Sequence, residues 1–390
     1  MLGSRVTVLA LPLTAILTLH ASPIQIGILG AVGSAASFLF GMVAGVWVDR
    51  VRRRPLMTGA NLGQAALLSS IPVAAWLGAR HLAQLYVVSF LAAALAVFFN
   101  VARTAYVPTI VPREHLVEAN SGLRVSSSAA QIVGPGVGGA LVQLLTPPVA
   151  IAADALSFIA SAIGLLTIRA AELPLQRTGE ATIRREVAEG LRVILNNPFL
   201  RSLAAASATF NLFDSMLFAV YVLYLSRTLH LTAATIGLVF GLAGIGGLLG
   251  ALLVPPLSSR LGVGRTILWG IVLATGGELL IAAAAGPAVV AVLVLLAAEG
   301  AVELGAALYA INVGSLQQAI TPEGLRGRVS AGNDLASFGV EPVGALLGGL
   351  CGQALGLRAT VLVAGMGTLL SLLWLVRSPV RVLRDIPDAP

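Results

Sequence analysis

The sequence has few of the residues on which soluble proteins depend. Charged residues make up 11% of the 390 residues and aromatic residues 5%, whereas hydrophobic residues make up 57% and the mean hydropathy is +0.93. A soluble domain of this length would carry about twice that share of charge. This composition excludes an ordinary soluble fold and indicates a protein whose solvent is lipid.

Cysteine and lysine are scarcer still. Cys351 is the single cysteine, which excludes a disulfide framework and a metal site built from cysteines. Lysine is absent, and the chain has no Gly-x-x-x-x-Gly-Lys loop to cradle phosphate, so ATP is not expected as the energy source. No His-Glu-x-x-His motif indicates a metal ion. We therefore expect no cofactor.

Positive charge is spread over short turns between apolar runs. The net charge is +7, but the arginines do not collect on one face, which argues against nucleic-acid binding. Arg80, Arg227 and Arg358 fall on one set of turns, and nearly all other arginines fall on the opposite set or in the tail. Because short cytoplasmic loops are rich in basic residues, this bias predicts a multi-pass protein of the cell membrane with both termini cytoplasmic.

Apolar runs that are long enough to cross a bilayer recur along the chain. A helix needs about 20 apolar residues to cross, and twelve runs reach or approach that length: 1–19, 24–48, 55–77, 82–107, 119–145, 149–168, 200–225, 233–255, 266–284, 288–313, 329–355 and 358–376. We predict an all-α membrane protein of about twelve spans, with a short first span.

A polar stretch divides the predicted spans into two sets of six. Within it Val187, Leu191 and Ile194 recur at helical spacing among charged residues, which predicts an amphipathic helix on the cytoplasmic face. The predicted boundaries are an N-terminal half over residues 1–169, a linker over 170–198, a C-terminal half over 199–377 and a cytoplasmic tail over 378–390.

The turn between the second and third spans carries one acid, Asp49, and four arginines. It is either a simple topology anchor or a gating latch in which the arginines pair with Asp49. The spacing Gly-x-x-x-Asp-Arg-x-x-Arg-Arg resembles the loop 2–3 signature of the major facilitator superfamily, with Arg52 in place of the usual inner glycine. The matching residues are Gly45, Asp49, Arg50, Arg53 and Arg54.

The fifth span contains a second motif, formed by Gly134, Pro135, Gly138 and Gly139. Small residues in mid-span allow neighbouring helices to approach closely, which is one interpretation. The other is that Gly-Pro-x-x-Gly-Gly resembles the end of the fifth-helix signature of proton-coupled antiporters. The upstream glycines of that signature are replaced here by Ser121 and Ala130.

Inserting an ionisable residue into a membrane costs at least ~2.5 kcal/mol, so each such residue is a candidate for a functional or structural role. Glu299 and Glu303 are four residues apart and share one face of the tenth span. Two such close carboxylates are not both ionised cheaply, and one is expected to keep its proton near neutral pH. The alternative is that the membrane acids pair with polar side chains as structural contacts. The candidate acids are Asp154, Asp214, Glu278, Glu299, Glu303, Asp334 and Glu341.

The resemblance covers nearly the whole chain and implies two six-helix halves, with spans 1, 4, 7 and 10 around a central cavity. It points to Asp214, Glu299, Glu303 and Glu341 as coupling residues and to Arg5, Asn100, Arg103 and Asn211 as cavity residues. Asp154 and Glu278 are expected to be structural, and Asp334 to pair with Arg326 or Arg328. The first span resembles the middle of the family's first helix, so residues upstream are expected to be missing, and Arg5 lies either at the surface or beside the cavity.

Among the branches of this family, the chain resembles the drug and macrolide exporters. The resemblance implies export of drug-like or lipophilic small molecules by alternating access, in exchange for protons, with the proton gradient as energy source. The expected partners are a small-molecule substrate, protons and bilayer lipid, without nucleic acid, and the expected state is a monomer. Two alternatives stay open, an exporter of an endogenous metabolite such as a siderophore or lipid, and a polytopic membrane enzyme or sensor without transport.

Overall fold

The computed structural model of the chain describes residues 2–48, 50–79, 81–168 and 183–385. Helices account for almost all of these residues, and no β-strand is present among them. The predicted all-α class is therefore confirmed. Asp49 of the turn motif, Arg80 and the first part of the predicted linker lie outside the described residues, as do residues 386–390 of the predicted tail.

The helices follow one another through short connections. In chain order they are α1 (Leu2–Leu17), α2 (Pro23–Val48), α3 (Arg53–Trp76), α4 (Leu82–Ile110), α5 (Leu116–Leu144), α6 (Pro147–Thr167), α7 (Ile183–Asn196), α8 (Pro198–Arg227), α9 (Ala233–Leu261), α10 (Val263–Ala283), α11 (Ala288–Ile320), α12 (Arg326–Phe338), α13 (Glu341–Leu355), α14 (Leu357–Thr368) and α15 (Leu370–Val376). Short 3-10 turns lie at Arg113–His115, Glu323–Leu325 and Pro379–Val382.

Nine stretches of the described chain are long and apolar enough to cross a membrane. Three more helices correspond to predicted spans but are shorter or more polar. Helix α1 has 16 residues, which is about 24 Å at ~1.5 Å per residue. Helix α3 buries Asn61 and Gln64, and α5 carries Glu118 and Arg124. Together these helices account for the twelve predicted spans.

The chain forms two compact units. The first comprises Met1–Ser22, Ile28–Glu180 and Thr232–Leu238, and the second comprises Pro23–Gly27, Ala181–Leu231 and Val239–Pro390. In the first unit α1 packs against α5 and α6, and α3 packs against α4 and α6. In the second, α8 packs against α12 to α15, and α10 packs against α11 and α14.

The amphipathic helix predicted in the linker forms as α7, which belongs to the second unit. It packs against α12, where Arg328 donates to Glu189 at 2.8 Å. Its apolar face joins a buried cluster that contains Ile194, Leu200 and Val329. The side chain of Asn197 then accepts hydrogen bonds from the first backbone N–H groups of α8, so α7 and α8 meet at a capped turn.

The eleventh predicted span is not one continuous helix, as the apolar run 329–355 had indicated. Helix α12 ends at Phe338 and α13 begins at Glu341. Pro342 has no N–H group, so the backbone carbonyl four residues earlier has no helical donor and the helix is interrupted. At this break Asn211 of α8 donates to Ser337 O at 2.9 Å, and Ser215 donates to Glu341 O at 2.8 Å.

We expect the Asn211→Ala variant to be less stable because Ser337 O would lose its side-chain donor. An unsatisfied buried polar group costs about 1–3 kcal/mol, and thermal unfolding of the purified protein in detergent measures the loss. Asn120→Ala is the matched control, since the exposed Asn120 amide bonds Leu116 O of its own helix. Equal midpoints for Asn211→Ala and the parent protein would contradict this role.

Candidate functional site

Two arginines of the turn motif bond backbone carbonyls of neighbouring helices in the first unit. Arg53 donates to Ala105 O of α4 at 2.9 Å. Arg54 donates from Nε to Leu165 O at 2.9 Å and from Nη2 to Leu166 O, both in the last turn of α6. The last carbonyls of a helix lack backbone donors and carry partial negative charge, so a guanidinium caps them well. Arg50 is exposed, and the latch role of the motif with Asp49 stays a prediction.

We expect Arg54→Gln to lower the stability of the first unit by about 1–2 kcal/mol, because it removes a charged donor from the C-terminus of α6. Arg52→Gln is the control, since Arg52 is an exposed arginine of the same turn. Thermal unfolding of both variants in detergent checks this. An equal fall in the two midpoints would show that net charge matters and the α6 cap does not.

The small residues of the fifth-span motif lie where α5 meets other backbone. A Cβ atom at Gly138 would lie 3.0 Å from the Cα atom of Val6, and one at Gly139 would lie 2.3 Å from Ala233 O within the same unit. Gly134 is also buried, and Pro135 is half-buried. These contacts give the motif a packing role, and its part in coupling to protons stays a prediction.

The polar candidates of the first unit differ in exposure. Arg5 and Asn100 are exposed, and Arg103 is half-buried. Asp154 of α6 is fully buried but well satisfied, because it accepts hydrogen bonds from Thr7 and from Ser157. A satisfied buried acid of this kind fits the structural role that was expected for Asp154.

In the second unit, residues of the four helices α8, α10, α11 and α14 lie at the same height along the packed helices. A Cβ atom at Gly277 of α10 would lie 2.5 Å from Ala298 O of α11, so the next residues, Glu278 and Glu299, lie side by side. The ring of Phe213 on α8 would lie 2.1 Å from a Cβ atom at Gly367 on α14. Asp214 directly follows Phe213 on α8, and Thr368 directly follows Gly367 on α14, so these two side chains lie at the same height along the packed helices as Glu278 and Glu299.

The predicted coupling acids are placed together in this unit. Asp214 lies within electrostatic range of Glu303 and Glu341, and Glu299 lies within range of Glu303 and Asp214. Glu299 is buried, whereas Asp214, Glu303 and Glu341 are half-buried. A cluster of carboxyl groups in an apolar unit is the kind of arrangement that binds protons, because neighbouring acids disfavour each other's ionised form.

Small and aromatic side chains shape the space around these acids. Gly247 of α9 leaves room for Glu303, whose Oε2 would lie 3.2 Å from a Cβ atom at that position. The Tyr221 hydroxyl lies beside Glu299. The Tyr221 ring meets the Phe240 ring edge-on, with 5.4 Å between the centroids. The centroid of the Phe218 ring lies 6.3 Å from that of Phe240. Because Asp214, Phe218 and Tyr221 are four and three residues apart, they share one face of α8.

Two sequence expectations change with the structure, and a third residue, Asn211, makes a contact that was not expected, while its cavity role stays a prediction. Asp334 does not form the expected pair, because Arg328 pairs with Glu189 and Arg326 pairs with Glu323. Asn211 holds the break between α12 and α13, which no local pattern had indicated. Glu278 is fully buried and neither of its carboxyl oxygens has a hydrogen-bond partner in the part of the chain that is described, which does not fit the structural role expected of it.

The described ranges contain no evident site for a bound metal ion. No group of three or more His, Cys, Asp or Glu side chains there is arranged to hold one.

The family is decided by the match to the whole length of the chain. The family model of the Major Facilitator Superfamily matches residues 1–331 and, in a second overlapping match, residues 203–389. The chain belongs to the Major Facilitator Superfamily. It is therefore a multi-pass membrane protein of a transporter family, and its helices form the major-facilitator fold.

Relatives within the Major Facilitator Superfamily include named exporters. The chain is 28% identical over 380 residues to the multidrug efflux pump Tap of Mycolicibacterium fortuitum, covering 94% of this chain and 90% of that protein. It is also 28% identical over 217 residues to macrolide efflux protein A of Enterococcus faecalis, covering 54% of this chain and 67% of that protein.

Solved major-facilitator structures share the fold at lower identity. The crystal structure of a bacterial homologue of the iron transporter ferroportin, in an inward-facing state, has a TM-score of 0.74 and 19% identity, with 96% of both chains covered. At this identity the likeness shows the fold and carries no statement about substrate.

Proposed function

We propose that this member of the Major Facilitator Superfamily is a secondary active transporter that exports drug-like, lipophilic small molecules in exchange for protons. It works in the cell membrane, with both termini in the cytoplasm, as a monomer that uses the proton gradient and no cofactor. The single observation that carries the proposal is the cluster of carboxyl groups on α8, α11 and α13 inside an apolar unit. The names of the related efflux proteins support the direction of transport.

The acid cluster suggests how protons and substrate are exchanged. When Glu299 and Glu303 hold a proton, the cluster loses much of its negative charge and a cationic substrate gains little from it. When the proton leaves, the negative charge attracts such a substrate, and burial strengthens that attraction because the surroundings are poorly polarisable. Competition between proton and substrate for the same charge couples their movements, which is the requirement for antiport.

The walls around the acids favour a lipophilic substrate. Phe218, Tyr221 and Phe240 form an aromatic group beside Glu299, and an aromatic face attracts both apolar surface and positive charge. A sugar would need many polar partners in a site of this kind. Transport is proposed in preference to catalysis. The acids can exchange protons and the aromatic rings can bind a substrate, and neither function requires the substrate to be changed chemically.

Efflux of ethidium from cells that express the chain tests this function. Cells are loaded with the dye, energised, and followed by fluorescence with and without an uncoupler of the proton gradient, with empty-vector cells as control. The proposal predicts efflux faster than in the control cells and a fall to the control rate with uncoupler. Equal rates in expressing and control cells, with the protein present in the membrane fraction, would overturn proton-coupled export of this dye class.

A further inference from the structure

Glu278 is a buried acid that the proposed exchange has not yet used. It lies on α10, with 1% of its surface exposed, and both carboxyl oxygens are without a hydrogen-bond partner among the described residues. An ionised carboxylate in such a place has neither water nor a donor to replace water. The geometry is thus compatible with a neutral, protonated carboxyl group.

The groups that face Glu278 are themselves acids. Glu299 comes from α11 and Asp214 from α8, and both lie within electrostatic range of it. The hydroxyl group of Thr368 on α14 lies beside the carboxyl but donates its own hydrogen to Gly365 O. Glu299 and Asp214 can therefore accept a proton from Glu278, and neither of them carries a positive charge that would stabilise the ionised form of Glu278.

The arginines on the elements that pack against α10 either bond another group or lie far from Glu278. Arg358 of α14 donates from Nε to Ala282 O, one turn along α10 from Glu278. The 3-10 turn at Pro379–Val382 meets α10 near Gly264, about 20 Å from Glu278 along the helix at ~1.5 Å per residue. Helix α15 contains no ionisable side chain.

The contrast with Asp154 separates a structural acid from this one. Asp154 is equally buried, yet hydroxyl groups of Thr7 and Ser157 donate to it. Close packing leaves Glu278 with no such shell: a Cβ atom at Gly277 would lie 2.5 Å from Ala298 O, and one at Gly365 would lie 3.2 Å from the backbone of Glu278. A residue kept only for packing would be apolar here, because an unpartnered acid weakens a core.

We propose that Glu278 is a proton-binding residue of the transport cycle, which holds a proton between α10, α11 and α14 and exchanges it with the carboxylate of Glu299 or Asp214. In this step the Glu278 O–H bond breaks, an O–H bond forms on the receiving carboxylate, and the negative charge moves to Glu278. After the receiving acid has released this proton and taken up another, it returns a proton to Glu278, which restores the neutral Glu278 and the ionised acceptor. This inference rests on the proposed proton antiport.

Infrared difference spectroscopy of the purified full chain in detergent tests the protonation directly, without a substrate. A pH step should reveal a carboxyl C=O band at the high frequency typical of a carbonyl that accepts no hydrogen bond. The band should disappear in Glu278→Gln and in Glu278→Leu and should persist in Asp154→Asn. A band that is the same in the parent protein and in both Glu278 variants would overturn the assignment.

Thermal unfolding and ethidium efflux complete the test. Glu278→Leu should raise the unfolding midpoint because it replaces an unpartnered polar group with an apolar one of similar size, and a lower midpoint would show a structural role.

Both variants should lose uncoupler-sensitive efflux at every external pH while still binding ethidium. If the parent protein shows no such efflux, the proposed function fails and the cycle role fails with it, whereas the infrared band still decides proton binding. Efflux by the variants at the parental rate and pH profile would overturn this inference alone.

Discussion

Replacing Glu299 and Glu303 together by glutamine is expected to reduce uncoupler-sensitive ethidium efflux to the rate of cells that lack the protein. The glutamines keep the shape of the side chains but carry no charge and take up no proton. A carrier that cannot release a proton at this place has nothing to exchange for the dye. We expect a fall of at least ten-fold, since loss of a proton-transferring group typically costs ~100-fold or more.

The chain offers a control pair for this double variant. Glu114 and Glu118 are also four residues apart, but both are exposed near the start of α5. Replacing them by glutamine changes the net charge by the same amount and should leave efflux unchanged. If the Glu299 and Glu303 variant still pumps at the parental rate, coupling does not depend on α11, and Asp214→Asn and Glu341→Gln become the next variants to measure.

Replacing Gly305 by alanine is expected to have a large effect on folding. Gly305 of α11 faces α10, and a Cβ atom there would lie 2.4 Å from Gly270 O and 2.5 Å from Ala274 N. Both contacts are with backbone, so the helices must move apart to admit a methyl group. Overpacking costs about 1–3 kcal/mol in well-packed cores, and we expect at least this loss because α10 and α11 form an extensive contact.

The same helix supplies the matched control for Gly305→Ala. A Cβ atom at Gly314 of α11 would have nothing within 4 Å. Gly314→Ala should therefore be neutral or slightly stabilising, because alanine is favoured over glycine in a helix by ~1 kcal/mol. The thermal midpoint and the monodisperse fraction of each purified variant measure the difference. Equal midpoints for the two variants would contradict the close packing of α10 on α11.

The sequence was sufficient to predict the helices and the grouping of the acids by span. Apolar runs predict membrane helices because length and hydropathy are local properties. The spacing of Glu299 and Glu303 likewise placed both on one face of α11. That Asp214 lies near them was expected only from the family resemblance, since its helix is far away in the sequence. The position of Glu341 near Asp214 emerges only from the structure.

Other features depend on partners that no local pattern shows. The break at Pro342 could be suspected from the proline, but its closure by Asn211 depends on a carbonyl 126 residues away. The latch role expected of Arg54 stays a prediction, but its hydrogen bonds to carbonyls of α6 join residues more than a hundred positions apart, and no local pattern shows them. Glu278 was expected to be structural, and its lack of a donor among the described residues emerges only when α10, α11 and α14 are packed together.

Proton movement driven by substrate is the most direct test of the central claim. The purified chain is reconstituted into liposomes that contain a fluorescent pH indicator, with equal pH on both sides and the membrane potential clamped by potassium and valinomycin. Ethidium is then added outside. Antiport predicts that the lumen becomes alkaline as ethidium enters, in protein-containing liposomes and not in empty ones or in those with the Glu299 and Glu303 double variant. Protein-dependent entry of ethidium without any change in lumenal pH would contradict proton exchange.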